Sequence, residues 1–331
     1  MPQTKVFHIR SPLIKSKPLS KKAGKDVYLK LDNLQLPGSF KIRGIGRTCQ
    51  EAVLINGAKR LVGSSGGNAG VAMAYAAEEL GVPLVLFIPT STPPIILERL
   101  KDYPGAEVRI AGTNWDAANQ EAMTLLEQDP EAFFVHPFEQ ETTWQGHATL
   151  VDEIKEQLVQ EHSDLRVPAS LITCVGGGGL AAGLIIGLQK HGWTKVPLVC
   201  METTGSQCLY QSVKQGRQVK LDAIETIAKS LGALAVCSKL LDLAKIHPVI
   251  PKVVTDAQAL DACFKFAQDH RMLVEPACGA VLSALYSDKL NDCETDIGGD
   301  ASPIVVIVCG GNMASMDLFQ MWKDQRRMEL K

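Results

Sequence analysis

The sequence predicts an α/β protein of two lobes, with parallel sheets carrying helices on both faces. Three observations predict it. Apolar runs of strand length alternate with helical segments, the pattern that crossover connections impose on a parallel sheet. Three glycine-rich turns, beginning at Ser64, Gly176 and Gly310, each follow a buried run and precede a helix. At 331 residues the chain exceeds the usual size of a single core.

Residues 27–31 read as a strand that Pro37-Gly38 breaks, and Ser39 is a good N-cap for a helix running toward Asn56-Gly57. Residues 59–63 form a second strand ending at Ser64-Ser65-Gly66-Gly67-Asn68-Ala69-Gly70. An alanine-rich helix over 69–80 closes at Gly81. An apolar strand follows at 83–88, and Thr92-Pro93-Pro94 opens a helix to Lys101. Strand 106–110, helix 114–127 and strand 132–135 complete the first series. The second begins with a helix over 144–161, where Leu150, Ile154 and Leu158 recur at helical spacing. Strand 169–175 runs into Gly176-Gly177-Gly178-Gly179, then helix 180–191 and strand 196–202. Helices 257–270 and 277–287 and a buried strand at 304–309 end the series. The basic stretch 15–25 reads as a solvated face or loop, and the polar stretch 291–302 as a surface loop. The smaller lobe is expected over 35–140, inserted into a larger one of 1–34 and 141–331.

Composition narrows the function classes. A net charge of −2 with no basic stripe offers nothing to nucleic acid. No apolar run reaches membrane-spanning length, and 1–10 lacks the apolar core of a secretory signal, so a cytoplasmic protein is expected. Nine scattered cysteines, none at metal-ligand spacing, read as reduced and mostly buried thiols. The seven histidines suggest no metal site either, and His147 reads as structural.

Lys41 is the chemical oddity. A cation in a first helical turn opposes the macrodipole, a cost that disappears if the amine is neutral, as in an imine with a carbonyl compound. Taken alone, the stretch reads more readily as a solvated lysine on a helix face. The glycine turns add to the case, because backbone N–H groups at a strand end and helix start can cradle an anion. Four consecutive glycines cost folding entropy that a phosphate guest would justify. The run Gly176-Gly177-Gly178-Gly179-Leu180-Ala181-Ala182-Gly183 comes near a dinucleotide fingerprint, with Glu202 as its acid. A nicotinamide enzyme is therefore the alternative from spacing, though it leaves Lys41 and Asn68 without work.

The motifs Pro37-Gly38-Ser39-Phe40-Lys41-Ile42-Arg43-Gly44, Ser64 to Gly70, the tetraglycine run and Cys309-Gly310-Gly311-Asn312 resemble those of fold-type-II pyridoxal-phosphate enzymes, the tryptophan-synthase-β-like fold. Within these the chain is most similar to the animal L-serine dehydratase/L-threonine deaminase group. The match is collinear from about Ser11 onward and includes Trp144-Gln145-Gly146-His147 and Val274-Glu275-Pro276-Ala277-Cys278-Gly279. The resemblance implies that Lys41 binds pyridoxal 5′-phosphate covalently and then serves as base at the substrate Cα. Phe40 would stack on the ring, Asn68 would meet its 3′-oxygen, and Gly176, Gly177, Gly178 and Gly179 would hold the phosphate. Cys309 would face the ring nitrogen as a neutral thiol. Ser65, counted with Lys41 as catalytic, would hold the substrate carboxylate together with Gly66, Asn68 and Ala69. Serine would lose water to give pyruvate and ammonia, and threonine would give 2-oxobutanoate, the departing hydroxyl taking a proton from the cofactor phosphate.

Two departures stand out. Ser230 falls where serine dehydratases commonly place a small apolar residue against the ring's other face. Gly66 falls where serine racemases carry a serine that reprotonates Cα, so racemase activity is not expected. The resemblance also implies a monovalent cation, potassium for example, among Gly176, Glu202, Ser206, Leu231 and Ala233. For Glu202 a salt bridge or strand-end cap is an equal reading. A β-replacing enzyme and a non-catalytic cofactor-binding relative are the functional rivals. A homodimer is the family habit.

Overall fold

Two separate sheets organise the chain. The computed structural model describes residues 6–161, 167–287 and 302–329. In order, its elements begin β1 (Leu13–Lys15), α1 (Lys17–Ala23), β2 (Val27–Leu31), α2 (Lys41–Gln50), β3 (Arg60–Gly63), α3 (Asn68–Leu80) and β4 (Leu84–Ile88). Then come α4 (Pro94–Leu100), β5 (Ala106–Ile110), α5 (Trp115–Gln128), β6 (Ala132–Phe134), α6 (Glu141–Glu161), β7 (Ser170–Cys174) and α7 (Gly179–Lys190). The rest are β8 (Leu198–Thr203), α8 (Cys208–Gln215), α9 (Ser238–Ala244), β9 (Val249–Val254), α10 (Asp256–His270), α11 (Pro276–Tyr286), β10 (Ile304–Val308) and α12 (Met316–Glu329).

One sheet has the order β5-β4-β3-β6 and is parallel throughout. The other runs β1-β2-β10-β7-β8-β9 and is parallel except where β1 pairs antiparallel with β2. The central strands β2, β4, β7, β8 and β10 are buried along their whole length, as helices on both faces require. β1 and β9 escape the sequence pattern for physical reasons. β1 has only three residues, and β9 carries Pro251, which an edge strand tolerates because one side needs no donors.

The basic stretch is largely a helix, α1. Ser16 Oγ accepts from Leu19 N at 3.3 Å, Gly24 ends it at φ +67°, and Leu19 is its buried anchor. The loop expected over 291–302 lies almost wholly outside the described residues. α6 starts at Glu141, three residues before the predicted Trp144, and α8, α9 and α12 fill stretches the sequence reading left unassigned.

The lysine helix α2 crosses α6 at very short range. A Cβ on Gly146 would overlap the Arg43 carbonyl oxygen, and one on Gly44 would lie 2.6 Å from the Thr143 carbonyl oxygen. The glycines in these two motifs are therefore explained by backbone contact. A buried charge cluster fixes the same crossing. Arg43 donates through Nε and Nη2 to Asp32 at 2.6 and 2.8 Å, and through Nη1 and Nη2 to Glu153 of α6 at 2.7 and 2.9 Å. Lys30 of β2 donates to Glu153 at 2.5 Å and to the Ser11 carbonyl at 2.7 Å. Burial opposes the charge on Asp32, yet Arg43 and the hydroxyl of Ser11 outweigh it and hold the carboxyl below its usual range.

Candidate active site

The first residue of α2 is Lys41 itself. The backbone makes Phe40 the N-cap, not Ser39, and no side chain caps the helix. Ser39 is instead drawn into a bridge with Gly310, its buried hydroxyl unpartnered. The turn is laced to the one after β10: Phe40 N donates to the Cys309 carbonyl at 2.9 Å, Gly311 N to the Gly38 carbonyl at 3.1 Å, and Asn312 Nδ2 to the Pro37 carbonyl at 2.7 Å. Gly38 holds φ +73°, and a Cβ there would overlap the Asn312 amide.

Lys41 Nζ donates to the Pro137 carbonyl at 2.6 Å and lies 5.4 Å from the Phe40 ring centroid. Burial lowers its pKa from 10.5 to about 8, only weakly opposed by the thiols of Cys174 and Cys237. An amine in this surrounding gives up its proton readily, as a lysine that forms an imine must. Behind Phe40 stands His147, ring centroids 5.0 Å apart, with both nitrogens unpartnered. Burial drives its pKa far below the usual histidine range, so it is a neutral wall.

The loop before α3 divides its two serines. Ser64 is buried and donates to Asn119 Oδ1 at 2.8 Å, whereas Ser65, Gly66 and Gly67 are partly open. Asn68 and Ala69 begin α3. Asn68 Nδ2 donates to Glu275 Oε1 at 2.8 Å and lies 3.3 Å from Ser230 Oγ, while its Oδ1 is buried without a partner. A Cβ on Gly66 would overlap Thr92 Oγ1, another buried and unpartnered atom.

The tetraglycine turn opens α7. Gly178 is its N-cap at φ +86°, and α7 is twelve residues long, so its first-turn amides project from a full dipole. Gly177 and Gly179 leave no room for a side chain, because Phe138 packs directly on them. Cys309, just after β10, is buried with its Sγ 3.5 Å from Cys174 Sγ. Hydrogen bonding with Cys174 and Cys278 and burial push its thiol well above its usual pKa, so it is neutral.

The five residues expected around a cation also converge, though mostly on one another. Ser206 Oγ donates to the Leu231 carbonyl at 2.5 Å, the backbone N–H of Ala233 donates to the same carbonyl at 2.7 Å, and Gly176 packs on the Leu231 backbone. Glu202 caps α8, accepting from Leu209 N at 2.8 Å and Tyr210 N at 2.7 Å, and it has no ion-pair partner among the described residues. Burial raises its pKa to about 7 against those bonds. The strand-end cap reading thus describes Glu202, and the salt bridge does not. No cluster of three or more His, Cys, Asp or Glu suited to a metal exists among the described residues.

The residues fit a phosphorylated aldehyde with an aromatic ring: an amine of lowered pKa, a buried side-chain amide with one end left unpartnered, and a helix start built of glycine. Glu275, Thr92 and Pro137 carry no site role in the sequence reading. Only Glu275 left a signal, since glutamate is a poor N-cap yet precedes Pro276 at the start of α11.

A family model described as "Pyridoxal-phosphate dependent enzyme" matches residues 5–310, and the chain belongs to that family. Its cofactor is pyridoxal phosphate. Among its relatives, a rat protein called "Serine dehydratase-like" is 45% identical over 96% of this chain and 95% of its own length. Human "L-serine dehydratase/L-threonine deaminase" is 41% identical over 97% of this chain and 96% of its own. The crystal structure of a fungal L-serine ammonia-lyase from Rhizomucor miehei superposes with TM-score 0.89 at 37% identity, covering 97% of this chain and 99% of that one.

Proposed function

We propose that the chain is an L-serine and L-threonine ammonia-lyase, eliminating water to give pyruvate or 2-oxobutanoate and ammonia. The observation that carries this reading is Lys41, a buried amine with a pKa of about 8 at the head of a helix, bonded to the carbonyl of Pro137 next to the Phe138 that packs on the glycine-built start of α7. The names of the relatives support the choice of substrate.

Pyridoxal phosphate supplies an electron sink for the bond at the substrate Cα. Lys41 holds the cofactor through its amine and, once released, takes the Cα proton on Nζ. Phe40, backed by His147, and Ser230 bound the two ring faces. Asn68 meets the 3′-oxygen, and the amides of Gly176, Gly177, Gly178 and Gly179 hold the phosphate. Cys309, neutral, presents its thiol to the ring nitrogen. Ser65 and the amides of Gly66, Asn68 and Ala69 hold the substrate carboxylate. The sheet of β3 to β6, within a lobe spanning 35–140, closes on the larger lobe of 1–34 and 141–331 to exclude water. The carbonyls of Gly176 and Leu231 with the oxygens of Glu202, Ser206 and Ala233 remain the place for a monovalent cation.

We place the enzyme in the cytoplasm as a homodimer acting in amino-acid catabolism that feeds gluconeogenesis. No helix among the described residues is long and apolar enough to cross a membrane, and all eight described cysteines are buried and unpaired. Steady-state release of pyruvate from serine and 2-oxobutanoate from threonine, with and without potassium, tests the reading. Lys41→Ala should remove both products and the visible absorption band. Consumption of serine only when a thiol co-substrate is added, giving water and an S-substituted cysteine with no pyruvate, would replace the elimination reading with β-replacement.

A further inference from the structure

Glu275 is 1% exposed and stands at the start of α11, yet its side chain does not cap that helix. It reaches into the site instead. Oε1 accepts from Asn68 Nδ2 at 2.8 Å, and Oε2 from Met313 N at 3.3 Å. No cation lies within ion-pair distance of it among the described residues. The charge it feels is that of Arg99 on α4, whose Nε is engaged with the Asn312 carbonyl at 3.2 Å. The neighbouring thiol of Cys263 is itself pushed well above its usual pKa by burial and is neutral. Burial raises the pKa of this carboxyl against the hydrogen bonds from the Ser230 hydroxyl, Met313 N and Asn68, which favour its charged form.

Asn68 completes the observation. Its Nδ2 is spent on Glu275, its Oδ1 has no partner, and Ser230 Oγ lies 3.3 Å from the same nitrogen. An amide exchanges its donor and acceptor ends by a half-turn with no change of shape. An ionised Glu275 can only accept, so it holds Nδ2 and leaves a carbonyl oxygen toward the ligand. A neutral Glu275 can donate to Oδ1, as can the Ser230 hydroxyl, and the N–H is then free to turn outward. An outward N–H stabilises an anionic ring oxygen, whereas a carbonyl oxygen repels it.

We propose that Glu275 is a positioning residue that, as a neutral acid, donates to Asn68 Oδ1 and so aims the Asn68 N–H at the 3′-oxygen of the cofactor. This rests on the placement of Asn68 against that oxygen. The test is titration of cofactor-free protein with pyridoxal phosphate, reading affinity by dialysis and the position of the absorption band. Thermal melting of the cofactor-free proteins serves as the control for folding. Glutamine can donate to Oδ1 as the neutral acid does, so Glu275→Gln should keep the wild-type band and an affinity within about threefold. Glu275→Ala should bind about tenfold more weakly, with its band moved toward the near ultraviolet as the ring oxygen takes up a proton. If the alanine variant does not fold, Glu275→Met takes its place as an apolar side chain of similar length. Variants that all match wild type would overturn the proposal, as would a glutamine variant as weak as the alanine one. A wild-type protein with no band at all would overturn the cofactor site along with it.

Discussion

Replacing Lys41 with methionine should abolish cofactor attachment and, at neutral pH, make the cofactor-free fold more stable. Burial lowers the amine from 10.5 to about 8. Holding it protonated in the fold at pH 7 therefore costs roughly 3 kcal/mol relative to the unfolded chain. Methionine is close in length and removes that cost. It also removes the bond from Nζ to the Pro137 carbonyl, whose net worth is about 1 kcal/mol. The expected gain is thus on the order of 2 kcal/mol, measurable by urea denaturation of both cofactor-free proteins. The pH dependence gives the reasoning a second handle. Between pH 8 and 10.5 the unfolded chain binds the proton and the folded one does not, so wild-type stability rises with pH across that window. Below pH 8 both states are protonated and the cost is present in full. The advantage of Lys41→Met should therefore be largest near pH 7 and shrink as pH approaches 10. An equal advantage at both pH values, or a destabilised variant at pH 7, would refute burial as the cause of the lowered pKa.

Arg43→Met should destabilise the protein by about 3–5 kcal/mol in urea, since it leaves Asp32 buried without its cation. The carboxyl of Asp32 is held below its ordinary 3.8 in the fold, so its contribution is present above that pH and is lost as pH falls through the folded value. Gly66→Ser should raise KM for serine, because its Cβ overlaps Thr92 Oγ1, and adding Thr92→Ala should restore much of the loss in the same assay. Glu202→Gln should cost about 1–3 kcal/mol of thermal stability, since one of the Leu209 and Tyr210 amides loses its acceptor. Glu202 is raised from 4.5 to about 7 in the fold, so it contributes most at low pH, and the deficit of the variant should be larger at pH 5 than at pH 8.

The sequence made the alternation of β3 to β6 with α3, α4 and α5 readable because each element there announces its end, with Gly81 closing α3 and Asn114 capping α5. The stretch from Thr204 to Thr255 was opaque for the opposite reason. α8 is capped by Glu202 from the preceding strand and α9 has no side-chain cap, so neither carries a start signal of its own. β9 hides behind Pro251, a residue that rules out a central strand but not the edge position it occupies.

Within the site, what could be read followed the same division between local and distant causes. Lys41 and the tetraglycine run were visible because each conflicts with its own local structure, a cation at a helix start and glycine where entropy opposes it. Ser39 misled because its N-cap propensity is local, whereas its conformation is set by Cys309 and Gly310, some 270 positions away. Glu275 and Thr92 make their contacts with α3 and the loop before it, and nothing in their own neighbourhoods states that. The lacing between 37–40 and 309–312 has a consequence for function. It binds the start of the lysine helix to the end of β10, so Lys41 and Cys309 are held at a fixed spacing.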